Sequence, residues 1–170
     1  MKNILLLLVI GVVLTACSNN SRNQNSTAAQ NDSTKQFVRR YINEVWNNRD
    51  FSKTDKYWGA DFKNVFALQY PHGAEGMKTQ VAYFLAAFDT FHFDVQDIIV
   101  EGDKVAAWVE ITGTHTGELF GIKPTNKQVK FREAFIYKIV DGKLDEVYPF
   151  VDWNSLFMQL GQYPDMKNMQ

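Results

Sequence analysis

At 170 residues, 45% of them hydrophobic, the chain is one globular domain with a short appendage, long enough for a sizeable core. Its formal net charge is −1 and no basic patch alternates with aromatic residues, which removes nucleic-acid binding from the candidate functions. Aromatic residues make up 14%, with 13 Phe, more than a minimal core needs; they either fill the core or line an aromatic cavity.

The N-terminus stands apart from the fold. Lys2 precedes an apolar run, residues 4–14, that is too short to span a bilayer. Leu14-Thr15-Ala16-Cys17 resembles the bacterial lipobox cleaved before a lipid-modified cysteine. That resemblance makes residues 1–16 a lipoprotein signal peptide and Cys17 the lipidation site. It implies a domain outside the cytoplasm, anchored to a membrane of the bacterial cell envelope through two acyl chains, which hold where one does not. An ordinary signal peptide with an incidental cysteine is the alternative. Cys17 is the sole cysteine, so an internal disulfide and a Cys-rich metal site are excluded. Residues 17–33, rich in Asn, Ser, Gln and Thr, cannot bury enough surface to offset ordering entropy and read as a flexible tether. Order is expected from Asp32 or Ser33, either a plausible helix N-cap, giving a domain over 34–163 and a tail over 164–170.

Phe37, Val38, Tyr41, Ile42, Val45 and Trp46 recur at helical spacing and form one apolar stripe, ended by Asn47-Asn48. A shorter helix begins near Ser52 and carries Tyr57 and Trp58. Residues 61–69 are an irregular strand or a loop, and Pro71-His72-Gly73 is a break. Residues 74–88 form a third helix with Met77, Val81, Phe84, Leu85 and Phe88 on its buried face. Residues 92–100 read as a strand with Phe93, Val95 and Asp97 opposite His92, Asp94, Gln96 and Ile98. After the turn at Glu101-Gly102-Asp103 come strands over 104–116, 129–140 and 143–150, the last two joined by the hairpin turn Asp141-Gly142. A loop over 117–127, punctuated by Gly121, Pro124 and Asn126, separates the first two. Residues 153–160 form a closing helix, stopped by Gly161 and Pro164. Helices first and strands second predict an α+β domain: three N-terminal helices packed on a curved antiparallel sheet, half closed into a cone with an internal pocket.

On the strand over 129–140, Val129, Phe131, Glu133, Phe135, Tyr137 and Ile139 share one face, and Lys130, Arg132, Ala134, Ile136 and Lys138 the other. Glu133 is therefore a carboxylate on an apolar face, a placement that is rare unless the group is paired or functional.

Gly113-Thr114-His115-Thr116-Gly117-Glu118, followed by the run from Gly121 to Lys127 (sequence GIKPTNK), is similar to a "G-T-H-x-G…G-x-x-P-T-G-K" stretch of SnoaL-like polyketide cyclases. These and their ester cyclase relatives belong to the NTF2-like superfamily. The hairpin around Asp141-Gly142-Lys143-Leu144, the segment from Asp152-Trp153 to Leu160-Gly161, Val45-Trp46-Asn47 and Glu75-Gly76 fit the same pattern. The resemblance covers roughly residues 35–162. It implies a cone with an internal pocket and ring closure on a polyketide ester by acid–base chemistry without a cofactor. A pocket carboxyl takes a carbon-bound proton and returns one to oxygen, which burial favours by raising its pKa toward neutrality.

The sequence departs from the family at its polar positions. The family's acid–base carboxylate falls near Pro149, a common histidine near Phe135, and the usual "F-V-D-H" is replaced by Phe62-Lys63-Asn64-Val65. These departures favour a domain that binds a small apolar or amphipathic molecule without the cyclase reaction; a cofactor-free cyclase, isomerase or hydrolase is the alternative, and a homodimerisation module pairing through the sheet is a third reading. In the enzyme reading Glu133 acts with Tyr148 or Asp152, although Asp152 also reads as the N-cap of the closing helix. Trp46, Tyr57, Phe84, Phe88, Trp108, Phe131 and Phe135 are the aromatic residues expected on the pocket wall. His115 is expected to brace the loop over 117–127. His72 and His92 are isolated and make no metal site.

Overall fold

The computed structural model describes residues 13–167 other than Leu68 and Met166, with side chains described from Ser26 onward. The segment up to residue 12 that reads as a signal peptide, the Cys17 side chain and the last three residues of the expected tail lie outside the described set. Among the described residues, no helix is long and apolar enough to cross a membrane.

Helix α1 (Val13–Tyr41) starts well before the expected Asp32 or Ser33 and takes in the segment read as a tether. The stretch contains neither Gly nor Pro, so a helix nucleated by the packed residues after Phe37 propagates backward without a break. Residues 26–30 are exposed, and Val38 is the first side chain to reach the core. At Ile42–Asn47 the helix widens into one π-helical turn. Asn47 then clasps the backbone of Phe93, accepting from its N–H at 2.8 Å and donating to its carbonyl at 3.0 Å. A 3₁₀ turn (Phe51–Lys53) and the single-turn helix α2 (Thr54–Tyr57) follow, so the second helix is shorter than expected and releases Trp58 into a strand.

That strand, β1 (Trp58–Asn64), resolves the ambiguous segment and corrects the sheet. It pairs parallel with β5 (Lys143–Val151), so the sheet is mixed rather than purely antiparallel. Helix α3 (Ala74–Ala87) leads into β2 (Phe88–Glu101), β3 (Lys104–His115), β4 (Gln128–Val140) and β5, and the strand order is β1-β5-β4-β3-β2. Asp141 and Gly142 both have positive φ, 50° and 74°, as a two-residue hairpin turn with right-handed strand twist requires. Helix α4 (Trp153–Leu160) closes the domain.

Besides an irregular pairing of β1 with β5, irregularities in β2 and β5 bend the sheet into a cone. In β2 the register shifts between Asp89 and His92 and again between Val95 and Asp97. Each shift reverses which side chains face inward, so Phe88, Phe91, Phe93 and Ile98 are all buried. Ile98 had been expected on the polar face. In β5, Lys138 pairs with Glu146 and Ile139 with Leu144, so Asp145 is an extra residue that flips the strand. Leu144 and Val147 both point in, and Tyr148 points out. The expected alternation of β4 holds throughout, with Val129, Phe131, Phe135 and Tyr137 buried.

Candidate functional site

The concave face of the sheet, α1, α3 and α4 enclose a cavity of about 270 Å³. Its wall is overwhelmingly aromatic and aliphatic. Strand β2 supplies Phe88, Phe91 and Phe93; β4 supplies Phe131, Glu133, Phe135 and Tyr137; β5 supplies Val147, Pro149 and Val151. From the helical side come Tyr41, Trp46, Met77, Gln80, Val81, Tyr83 and Phe84, with Trp153 and Leu156 from α4. Asn64, Phe66, Ala67, Gln69 and Tyr70 form the rim after β1, and Phe120 reaches over from the loop after β3. The Phe120 amide donates to the Tyr83 hydroxyl at 2.7 Å, fixing that loop against α3.

Glu133 sits opposite Val109 on β3 and Val151 on β5, in the middle of the sheet. It lines the cavity and is half-buried, with protein atoms packed around the carboxyl. Among the described residues no group donates a hydrogen bond to it, and no Lys, Arg or His lines the cavity. Loss of hydration is uncompensated, and burial pushes its pKa from 4.5 up to about 8. At neutral pH the group is mostly a carboxylic acid, able both to donate and, once ionised, to accept a proton.

Of the seven aromatic residues expected on the wall, Trp46, Phe84, Phe88, Phe131 and Phe135 line the cavity. Tyr57 does not: it is buried between Phe37 and Tyr41, ring centres 5.3 and 5.4 Å away, and its hydroxyl donates to Glu44 at 2.8 Å. Trp108 does not either. It alternates with the buried Val105, Ala107 and Val109, so it lies on the outer face, 41% exposed, with the Arg132 guanidinium over its ring.

Both partners expected for Glu133 are elsewhere. Tyr148 is turned outward by the Asp145 bulge and donates to Glu146 at 2.8 Å. Asp152 is exposed and caps α4, accepting from the Ser155 N–H at 3.0 Å. His115 braces its loop as expected: the Thr125 N–H donates to Nδ1 at 3.2 Å, and burial lowers the ring's pKa. That acceptor role leaves the proton on Nε2, which is buried with no partner among the described residues.

The positions that the family resemblance made critical, Pro149 and Phe135, do face the cavity, but with side chains that cannot ionise. The polar groups at the site include instead Glu133, Tyr41, Tyr137, Gln80 and Asn64. Tyr137 shares the parity of Glu133 and Gln80 interrupts the Met77–Val81–Phe84 stripe, so both carried a signal that hydrophobic patterning passes over. Tyr41 carried none beyond its place in a helical stripe.

Comparison with known proteins agrees with this architecture. A family profile described as SnoaL-like polyketide cyclase matches residues 36–160. The nogalonic acid methyl ester cyclase of Streptomyces nogalater is 26% identical over 115 residues, covering 65% of this chain and 86% of the relative. An aklanonic acid methyl ester cyclase of Streptomyces peucetius is 25% identical over 130 residues, covering 74% and 89%. Among solved structures, TsrD from Streptomyces laurentii superposes with a TM-score of 0.72 at 22% identity, covering 78% of this chain and 97% of that one. A SnoaL-like polyketide cyclase from Agrobacterium tumefaciens gives 0.67 at 16%, covering 75% and 98%; at these identities both show the shared fold. With a profile match over nearly all of its folded part, the chain belongs to the SnoaL-like polyketide cyclase family.

Proposed function

We propose that the protein is a cofactor-free acid–base catalyst of the cyclase, isomerase or hydrolase kind, acting on a small apolar or amphipathic carbonyl compound with Glu133 as its proton-transfer group. The observation that carries this reading is a lone carboxyl, held mostly neutral at pH 7, in an otherwise aromatic cavity. In ring closure, the ionised Glu133 takes a proton from a carbon next to a carbonyl, and the electron pair of that C–H bond moves to give an enolate. The enolate carbon bonds to a second carbonyl carbon of the same molecule. The alkoxide so formed recovers the proton from Glu133, which returns to its starting state.

Similarity to the two methyl ester cyclases points to an ester or diketone as substrate. A cavity of about 270 Å³ lies at the small end for ligand sites, which favours a molecule of one or two rings. With a pKa of about 8, about one Glu133 in ten is ionised at pH 7, so a base-dependent rate climbs as pH rises through 8.

The test is exchange of the acidic C–H of methyl benzoylacetate in D₂O, followed by NMR, with the full-length chain. Wild type is expected to accelerate exchange, and Glu133→Gln to lose about 10²- to 10⁴-fold of that acceleration. Equal exchange by both proteins overturns the catalytic reading. Binding without chemistry then takes its place, a reading favoured by Pro149 and Phe135 on the cavity wall. The lipobox-like run before Cys17 supports a reading in which this activity sits at an envelope membrane. Palmitate labelling that is absent in Cys17→Ser supports the anchor, and labelling retained in that variant removes it.

A further inference from the structure

Glu133 has two neighbours that the catalytic reading does not use. Tyr41 on α1 and Tyr137 on β4 line the same cavity, and each is 1% exposed. The Tyr41 oxygen is occupied from behind: the Trp46 indole N–H donates to it at 3.1 Å. The π-helical turn makes this contact possible. Residues five apart diverge around an α-helix but come closer to one face where the helix widens. The Trp58 indole N–H also favours the Tyr41 oxygen electrostatically, although it stands outside hydrogen-bond geometry.

With its oxygen accepting, Tyr41 must direct its own proton elsewhere. Among the described residues neither Tyr41 nor Tyr137 gives its proton to a protein acceptor. The Tyr41 and Tyr137 rings meet edge to face, centres 6.0 Å apart, and the charge of Glu133 on the same cavity wall acts on both phenols, yet no hydrogen bond joins any two of the three. Burial holds all three in their neutral, proton-bearing forms: Tyr41 is pushed up to about 12, Tyr137 upward, and Glu133 to about 8. Three O–H donors thus line one cavity, and no cation lies on its wall. Phe93, Phe135 and the Trp46 ring flank that space, with Trp46 and Phe93 centred 5.0 Å apart.

We propose that Tyr41, Tyr137 and Glu133 form an oxyanion pocket that takes the carbonyl, enol or phenol oxygen of a planar conjugated ligand, its ring lying against Phe93, Phe135 and Trp46. The inference rests on the reading of Glu133 as the cavity acid and adds which end of the substrate meets it. Directed donors stabilise charge that develops on oxygen, and they do so most in a dry site.

Phenols test this without any turnover. The full-length chain is titrated with 4-nitrophenol and a series of halogenated phenols, each at the pH where half of it is ionised in free solution, and phenolate is read by absorbance. An apolar cavity alone favours the neutral phenol, because desolvation penalises the anion. Directed donors act in the opposite sense, and bound phenol is expected to be about tenfold more ionised than free. Tyr41→Phe and Tyr137→Phe should each cut that enrichment severalfold. Tyr137→Phe leaves the acceptor of Trp46 in place, so it keeps the test alive if Tyr41→Phe does not fold. Bound phenol less ionised than free, ionisation untouched by both variants, or no phenol binding overturns the oxyanion pocket. Phenolate capture without C–H exchange of the keto ester defeats the acid–base reading alone, and exchange with phenols bound neutral defeats the pocket alone.

Discussion

Two glutamates on neighbouring strands of one sheet behave in opposite ways. Glu133 on β4 faces the cavity without a partner, and its pKa rises to about 8. Glu146 on β5 faces outward, accepts from Tyr148 at 2.8 Å and pairs with Lys63 at 3.4 Å, and its pKa falls, chiefly through the Tyr148 hydrogen bond. The residue type is the same and the strands are adjacent; only the face differs. The concave side removes water without replacing its hydrogen bonds, whereas the convex side keeps water and adds donors. Function-ready chemistry in this protein is therefore a property of the face.

The sharpest way to break the comparison is to move one residue along β4. Phe135 lines the cavity and is buried, while Ile136 lies on the outer face, 38% exposed. Phe135→Ala should cost about 3–5 kcal/mol by chemical denaturation, against about 1 kcal/mol or less for Ile136→Ala. Similar losses at both positions would mean that the two faces are not energetically distinct.

Next in size is the pH dependence carried by Glu133. Its folded pKa lies above its unfolded one, so its contribution is complete below about pH 4.5 and is lost as pH rises through about 8. Wild type minus Glu133→Gln, measured as unfolding free energy, should therefore fall with rising pH, by about 3 kcal/mol between pH 4.5 and 7. A flat difference would show that the carboxyl is hydrated in the folded state.

Asp152→Ala removes the cap of α4 and should cost about 1 kcal/mol while leaving C–H exchange unchanged, since its carboxyl meets Ser155 and not the cavity. Smallest of all, Glu146→Gln should cost under about 1 kcal/mol at pH 7. Its pH dependence runs opposite to that of Glu133: the contribution is present above the unfolded pKa and lost as pH falls through the lower folded one.

What the sequence determined by itself was whatever depends on near neighbours along the chain. The alternation of residues 129–140 put Glu133 on the inner face, the Asp141-Gly142 pair set a hairpin, and the motif around and after His115 pointed to the family. Trp108 was expected on the pocket wall, although its alternation with Val105, Ala107 and Val109 already carried the signal for the outer face. Tertiary structure alone decided the rest. Register shifts in β2 and the extra Asp145 in β5 reverse side-chain parity, bringing Ile98 in and turning Tyr148 out. Such bulges are fixed by pairing with a partner strand, so they leave little mark on the strand's own pattern. The parallel pairing of β1 with β5 and the π-helical turn that brings Trp46 to Tyr41 have the same origin. Periodicity reports the face a residue would take on a regular element; contacts across the cavity determine where the element stops being regular.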